Sequence, residues 1–274
     1  MFGFIKRKIE KIKSKQSLHQ YGWDIRHFDL KDFGKVEYAK WQHPYDRPRD
    51  FTNNMIDFYK QYIKPGAMVI DIGAHTGDTT VPMALCAGAS GTVLGLEPNP
   101  YVYKILEQNS KLNPGLTNIV PLMFAATDHD GTFSFNYSDA SYCNGGFFDS
   151  IQNQNHGHKH TLEVQGRNLE QYLEANFAEQ LPRLGFVKVD AEGYDKEIIK
   201  SIAVVLRKYK PVVISECNVN LTPEERFDLY ETVKNLGYKV MMIDGFESAG
   251  KEIPLTKKED MLRWKHFDIV AIPA

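Results

Sequence analysis

The sequence predicts an α/β fold: a doubly wound, mostly parallel sheet of about seven strands, ending in a C-terminal antiparallel hairpin. Three observations carry this reading. Short apolar runs of strand length alternate with amphipathic segments from residue 67 onward. Glycine and proline punctuate the junctions, as at Pro65-Gly66 and Gly88. The last two strand-like runs are joined by a segment without helical periodicity, which favours an antiparallel pair at the sheet edge.

The elements follow in order. Met55, Phe58, Tyr59 and Tyr62 are helically spaced before Pro65-Gly66 stops that helix. AMVIDIG (67–73) reads as a buried strand, TTVPMALCAG (79–88) as a helix and GTVLGLEP (91–98) as a second strand. YVYKILEQNSKLN is an amphipathic helix, NIVPLMFAA (118–126) a third strand, and GTFSFNY (131–137) alternates like an exposed antiparallel strand. GFVKVDAEG (185–193) and PVVISECN (211–218) are strands separated by one helix through DKEIIKSIAVVLRKY. A helix after Thr222-Pro223 leads to the strands YKVMMID (238–244) and FDIVAIP (267–273).

Residues 51–274 therefore form the main domain, and residues 1–50 are an extension rich in basic and aromatic residues, with room for one small hairpin. Phe2, Ile5, Ile9 and Ile12 share a helical face in residues 1–16, a segment with six Lys or Arg and one acid. Such a helix either packs its apolar stripe on the domain or lies on an anionic membrane surface. A formal net charge of −2 gives no global attraction to nucleic acid. Cys86, Cys143 and Cys217 lack metal-ligand spacing, and a sparse odd count favours a reducing, cytoplasmic location. No apolar run reaches membrane-spanning length.

The stretch VIDIGAHTGDTT (69–80) concentrates the chemistry. A strand delivers Asp71 and Gly73 into a tight turn that opens a helix, the arrangement that brings backbone and free N–H groups close to a ligand. The dinucleotide pattern G-x-G-x-x-G is broken, because His75 stands where a glycine belongs. No Gly-Lys-Ser/Thr follows to make a P-loop. The pattern D-x-G-x-x-x-G fits S-adenosylmethionine better, with Asp71 suited to the ammonium of its amino acid end. Glu97 ends the next strand, where an acid reaches both ribose hydroxyls. Two rival readings are a nicotinamide-dependent oxidoreductase and a non-catalytic cofactor-binding or membrane-associated scaffold.

VIDIGAHTGDTT, LEPNPYVYKILEQN, AATDHDG and VKVDAEGYDKEIIKS, in that order, resemble the FkbM family of class I S-adenosylmethionine-dependent methyltransferases. The resemblance spans about residues 51–274 and implies a Rossmann-like methyltransferase fold, with transfer of the methyl group to a hydroxyl oxygen, leaving S-adenosylhomocysteine. It implies that Asp71, Gly73, Ala74, His75 and Gly77 surround the methionine part, with Glu97 at the ribose and Asp128 at the adenine. In this superfamily the fourth strand ends beside the transferring methyl. Asp190 is thus the expected residue for orienting cofactor or acceptor, and Glu192 for the base or for hydrogen bonding to substrate, although acids here also cap helices. Glu216 is a further strand-end acid on the same rim.

The long segment 136–160 mixes aromatic and amide side chains, a surface suited to a sugar or another polyhydroxylated acceptor, with His160 lining the site. His156, His158 and His160 alternate, but no neighbouring Cys or acid completes a zinc set, so no metal is expected there. Strand-end carboxylates have the oxygen chemistry of a Mg²⁺ site, yet no motif dictates one. Asn99-Pro100-Tyr101 follows the second strand rather than the fourth, which argues against methylation of nucleic-acid bases.

Overall fold

The computed structural model describes residues 2–143, 145–146, 160–247 and 251–274. Helix α1 (Phe2–Gln16) leads to a hairpin of β1 (Trp23–Leu30) and β2 (Gly34–Trp41), followed by α2 (Asn53–Tyr62). Then come β3 (Met68–Ile72), α3 (Thr80–Ala87), β4 (Thr92–Leu96), α4 (Pro100–Ser110) and β5 (Ile119–Leu122). The chain next forms β6 (Ala125–Thr127), β7 (Gly131–Tyr137), β8 (Gly145–Gly146), β9 (His160–Asn168) and α5 (Leu169–Asn176). The second half comprises β10 (Leu184–Val189), α6 (Asp195–Ser201), α7 (Ala203–Tyr209), β11 (Val212–Cys217) and α8 (Pro223–Asn235). It closes with β12 (Tyr238–Ile243), β13 (Ile253–Leu255) and β14 (Phe267–Pro273).

The central sheet has eight strands in the order β13-β12-β14-β11-β10-β3-β4-β5, rather than seven. From β11 to β5 neighbouring strands are parallel, whereas β14 is antiparallel to both β11 and β12. The C-terminal antiparallel pair exists, but not as an edge hairpin. FDIVAIP is buried through its middle, so it slots inside the sheet, and the short segment Ile253–Leu255 takes the edge beside β12. Pro254, which has no N–H to donate, is tolerated at that edge.

Two other expectations change. NIVPLMFAA is two strands: β5 stays in the central sheet, while β6 joins a second sheet of order β6-β9-β7-β8. The break falls at Met123, which is half exposed. DKEIIKSIAVVLRKY bends at Ile202 into α6 and α7, and α5 forms in a segment where no helix is expected from the pattern.

Two apolar layers flank the sheet. On one side α2, α3 and the β1–β2 hairpin bury Phe28, Tyr38, Met55, Phe58 and Tyr59 against Val69 and Val270. Each such side chain contributes roughly 1.5–3 kcal/mol when fully removed from water. Buried Asn109 locks the hairpin to the turn after β3, accepting from Ala39 N and donating to the carbonyls of Ala39 and Thr76. Tyr38 Oη and Thr76 Oγ1 lie 2.6 Å apart in the same seam. The end of α1 is also tied down: Ala140 N donates to Ser14 O at 2.9 Å, and His160 Nε2 lies 3.1 Å from Lys15 O. Ser14 is buried by this docking, whereas Ile9 and Ile12 remain about half exposed (47% and 51%).

Candidate cofactor and acceptor site

The order of the strands reverses between β3 and β10, so the turns that follow them stand side by side. Their approach is so close that a Cβ on Gly73 would lie 1.9 Å from Asp190 O, and Gly73 has φ +79°. Glycine is therefore required at this crossing for space as well as conformation. The N–H groups of Gly73 and Ala74 donate to Leu96 O, and Asp190 N donates to Ile72 O, which stitches the ends of β3, β4 and β10 together. His75 has φ +47°, an uncommon conformation for a residue with a side chain. It is held there because its N–H donates to Glu97 Oε2 at 3.1 Å.

These turns open into a cavity of about 540 Å³. Gly73, His75, Glu97, Asp190 and Glu192 all line it, so five of the expected residues converge on one space. Phe124 and, from the second sheet, Ala125, Phe133 and Phe135 add an apolar wall, and residues 45–49 close the side next to His75.

Asp71, Ala74, Gly77, Asp128, Glu216 and His160 stand outside the wall that the described residues form. Asp71 is fully buried, and its Oδ2 accepts from Thr79 Oγ1 (3.0 Å) and Thr80 Oγ1 (2.7 Å). Lys188 Nζ lies 3.4 Å from Asp71 Oδ1, so this acid fixes the turn from beneath. Ala74 is buried behind the turn, and Gly77 packs against Leu106 and Asn109. Asp128 lies one residue past Thr127, which does face the cavity, and pairs with His129 near solvent. Glu216 is on β11, one strand further from the reversal point, behind Glu192 and Asn218. His160 starts β9 and engages the end of α1. His156 and His158 lie outside the described residues; among the described residues no three His, Cys, Asp or Glu gather as a metal-holding group.

Sequence reasoning passed over Lys188, Asp195 and Asp46. Lys188 is only 2% exposed, with Nζ 3.1 Å from Asp190 Oδ2 as well as near Asp71. Burial pulls its ammonium down, but Asp190 and Asp71 outweigh burial and leave it raised, so it stays charged. Its signal was a lone lysine inside the apolar run FVKV. Asp195 is a brace. Its Oδ2 accepts from Ala191 N, and its Oδ1 from Ser215 Oγ and Glu216 N.

The carboxyls of the rim are shifted toward neutrality. Burial raises Glu97 to about 7 against the opposing hydrogen bonds from Asn99 N and His75 N. Burial and then Asp190 raise Glu192 to about 7. Burial, Asp190 and Asp195 push Glu216 higher still, to about 9. A carboxyl that exchanges its proton near pH 7 beside a ligand-sized cavity has the properties of a general base.

The methyltransferase FkbM domain profile matches residues 71–240, more than half of the chain. A curated relative, hexuronic acid methyltransferase AglP from Haloferax volcanii, is 24% identical over 164 residues, covering 60% of this chain and 61% of that protein. Protein-L-isoaspartate O-methyltransferase from Caenorhabditis elegans is 35% identical over 54 residues, or 20% of this chain and 24% of that one. The chain thus spans less than two thirds of either curated relative. Among solved structures, a methyltransferase FkbM from Methylobacillus flagellatus superposes with a TM-score of 0.46 at 12% identity, covering 80% of this chain and 51% of that one. By the profile match, over the same residues that carry the glycine turn, Glu97 and Asp190, the chain belongs to the FkbM family of S-adenosylmethionine-dependent methyltransferases.

Proposed function

We propose that this protein methylates a hydroxyl oxygen on a sugar or a related polyhydroxylated molecule. The observation that carries the reading is the convergence of the glycine turn, Glu97, Asp190 and Glu192 on one cavity. The cavity suits S-adenosylmethionine on physical grounds. Its wall combines an apolar side of Phe124, Ala125 and Phe133 with acids facing a ligand that carries two positive centres. One buried acid in that wall, Asp46, has a carboxylate oxygen with no protein partner. Gly73 and His75 hold the methionine part, and Glu97 takes the ribose hydroxyls.

Bound S-adenosylmethionine supplies a methyl group already activated on sulfonium. The protein's share is position and proton transfer. Fixing donor and acceptor in a near-attack arrangement contributes up to roughly 7–11 kcal/mol. Asp190, held by Lys188, orients the acceptor, and Glu192 takes the hydroxyl proton as the new bond forms. The carbohydrate class draws on the Haloferax volcanii relative, named for hexuronic acid, and on the aromatic wall. In the proposed organisation residues 51–274 are the methyltransferase domain, residues 1–50 an extension, and segment 136–160 an acceptor-side element.

The reading is tested by incubating the protein with methyl-labelled S-adenosylmethionine and a panel of free sugars, hexuronic acids and polyols, followed by mass analysis. Label on an ether oxygen of a carbohydrate supports it, whereas label confined to a carboxyl ester overturns the hydroxyl assignment. Absence of calorimetric binding of both S-adenosylmethionine and S-adenosylhomocysteine at millimolar concentration would sink it.

The exposed Ile9 and Ile12, with Lys8, Lys13 and Lys15 nearby, further suit α1 to an anionic membrane surface, and none of the described helices is long and apolar enough to cross a membrane. Deleting residues 1–16 then lowers the fraction sedimenting with anionic liposomes; an unchanged fraction refutes the membrane contact.

A further inference from the structure

Residues 45–49 precede the region matched by the family profile, yet they form part of the cavity wall. Within them, Asp46 is 5% exposed. Its Oδ1 lies 4.0 Å from His75 Nδ1, beyond hydrogen-bond distance, and its Oδ2 is buried with no partner. Native proteins rarely leave a buried carboxylate oxygen unpaired, because desolvation is then uncompensated. At the rim of a ligand cavity the missing partner is a ligand donor.

The surroundings identify that donor as a cation. Asp78 lies on the same wall as Asp46, and Asp190 stands across the turn. Lys11, Arg47 and Arg49 line the cavity as well, but Lys11 Nζ lies over the Tyr45 ring and the Arg49 guanidinium over Phe246, and none of the three hydrogen-bonds Asp46 Oδ2. Lys188 is engaged by Asp71 and Asp190, and Lys40 offsets Asp46 only as the weakest of its electrostatic influences. Burial and then Asp78 raise the Asp46 carboxyl to about 7, while burial keeps the adjacent His75 imidazole low and hence neutral. An ammonium entering here meets a carboxylate of opposite charge and supplies the missing hydrogen bond. The sequence pointed to Asp71 for that ammonium, but Asp71 lies beneath the turn and outside the cavity wall, with Thr79 and Thr80 on one oxygen and the Lys188 ammonium already 3.4 Å from the other.

We propose that the Asp46 carboxylate binds the α-ammonium of S-adenosylmethionine, so that a residue from the N-terminal extension completes the donor site. This rests on the reading of the cavity as the S-adenosylmethionine site. His75, beside Asp46 and bound through its N–H to Glu97, links this end of the ligand to the ribose end.

The experiment is calorimetry of three ligands against wild type and Asp46→Asn. S-adenosylhomocysteine carries the ammonium, its desamino analogue lacks only that group, and 5′-methylthioadenosine lacks the whole amino acid end. Wild type binds S-adenosylhomocysteine about ten- to hundredfold more tightly than the desamino analogue, the range of a charge-assisted hydrogen bond. Asp46→Asn erases that difference and leaves 5′-methylthioadenosine affinity within about twofold, which also reports an intact cavity. Equal wild-type affinity for S-adenosylhomocysteine and its desamino analogue overturns the proposal, even if the variant does not fold. So does a variant that keeps the preference, or one that loses all three ligands equally while retaining its Tm. If wild type binds none of the three, the donor-site reading itself falls, and the role of Asp46 with it.

Discussion

The two sides of the cavity treat their acids differently. On the side of β3 and β4, Asp71 is surrounded by two hydroxyl donors and an ammonium, and each oxygen of Glu97 accepts a backbone N–H. On the side of β10 and β11, Glu192 and Glu216 share the amide of Asn218, Glu216 also faces His266 Nδ1 at 3.6 Å, and both feel the charge of Asp190. The carboxyl pKa does not separate the two, since Glu97 and Glu192 are both raised to about 7, although Glu97 is buried and Glu192 is exposed at the rim. The difference lies in what surrounds them. Donors hold Glu97 in one geometry, whereas repulsion by Asp190 keeps Glu192 ready to take a proton. One side is built for position, the other for proton exchange.

The largest break in this comparison comes from Gly73→Ala. A methyl 1.9 Å from Asp190 O forces the ends of β3 and β10 apart, at a residue with positive φ. The expected cost is more than about 3 kcal/mol, read as a fall in the denaturant midpoint or as loss of soluble protein. Next, Asp190→Ala lowers kcat by roughly 10²–10⁴-fold with S-adenosylhomocysteine affinity retained. Unchanged turnover removes Asp190 from the mechanism. Glu192→Gln sharpens the contrast through pH. Wild-type kcat rises as pH passes through about 7, and the variant lacks that rise.

The smallest effect is on stability. Glu97, Glu192 and Asp195, near 7, and Glu216, near 9, hold protons in the folded state that the unfolded chain has released above about pH 4. Because the folded state binds more protons, its stability falls as pH rises, through about 7 and on toward about 9. Glu216→Gln therefore leaves Tm unchanged near pH 4 and raises it progressively toward pH 9 relative to wild type. A Tm that climbs with pH in the wild type contradicts the shifts that define the acceptor side.

Local pattern made the strands and the glycine turn legible, because VIDIG, VLGL and FVKV are apolar runs ended by an acid or a glycine. What escaped was non-local. Strand order is set by packing among distant segments, so the insertion of β14 between β11 and β12 left no trace in FDIVAIP beyond its apolarity. The division of β5 from β6 was hidden because VPLMFAA reads as one continuous apolar run. Asp71 and Asp195 were visible as acids, but their consumption by Thr79, Thr80, Ser215 and backbone N–H groups depends on the fold. Asp46, in DRPRD, has the neighbours of a surface residue, and only the meeting with His75 reveals it as buried.

The docking of α1 has a consequence for the order of assembly. Its partners Ala140 and His160 come late in the chain, and the contact of His160 with Lys15 spans 145 residues. At ordinary rates of synthesis that separation is roughly 7–30 s. The leader therefore leaves the ribosome and waits, its basic apolar surface uncovered, until the second sheet exists. Contacts of such long range are slow to form, so the N-terminal wall of the cavity closes late, after the glycine turn has already joined β3 to β4. A nascent chain truncated before residue 140 lacks the partners that anchor its own beginning.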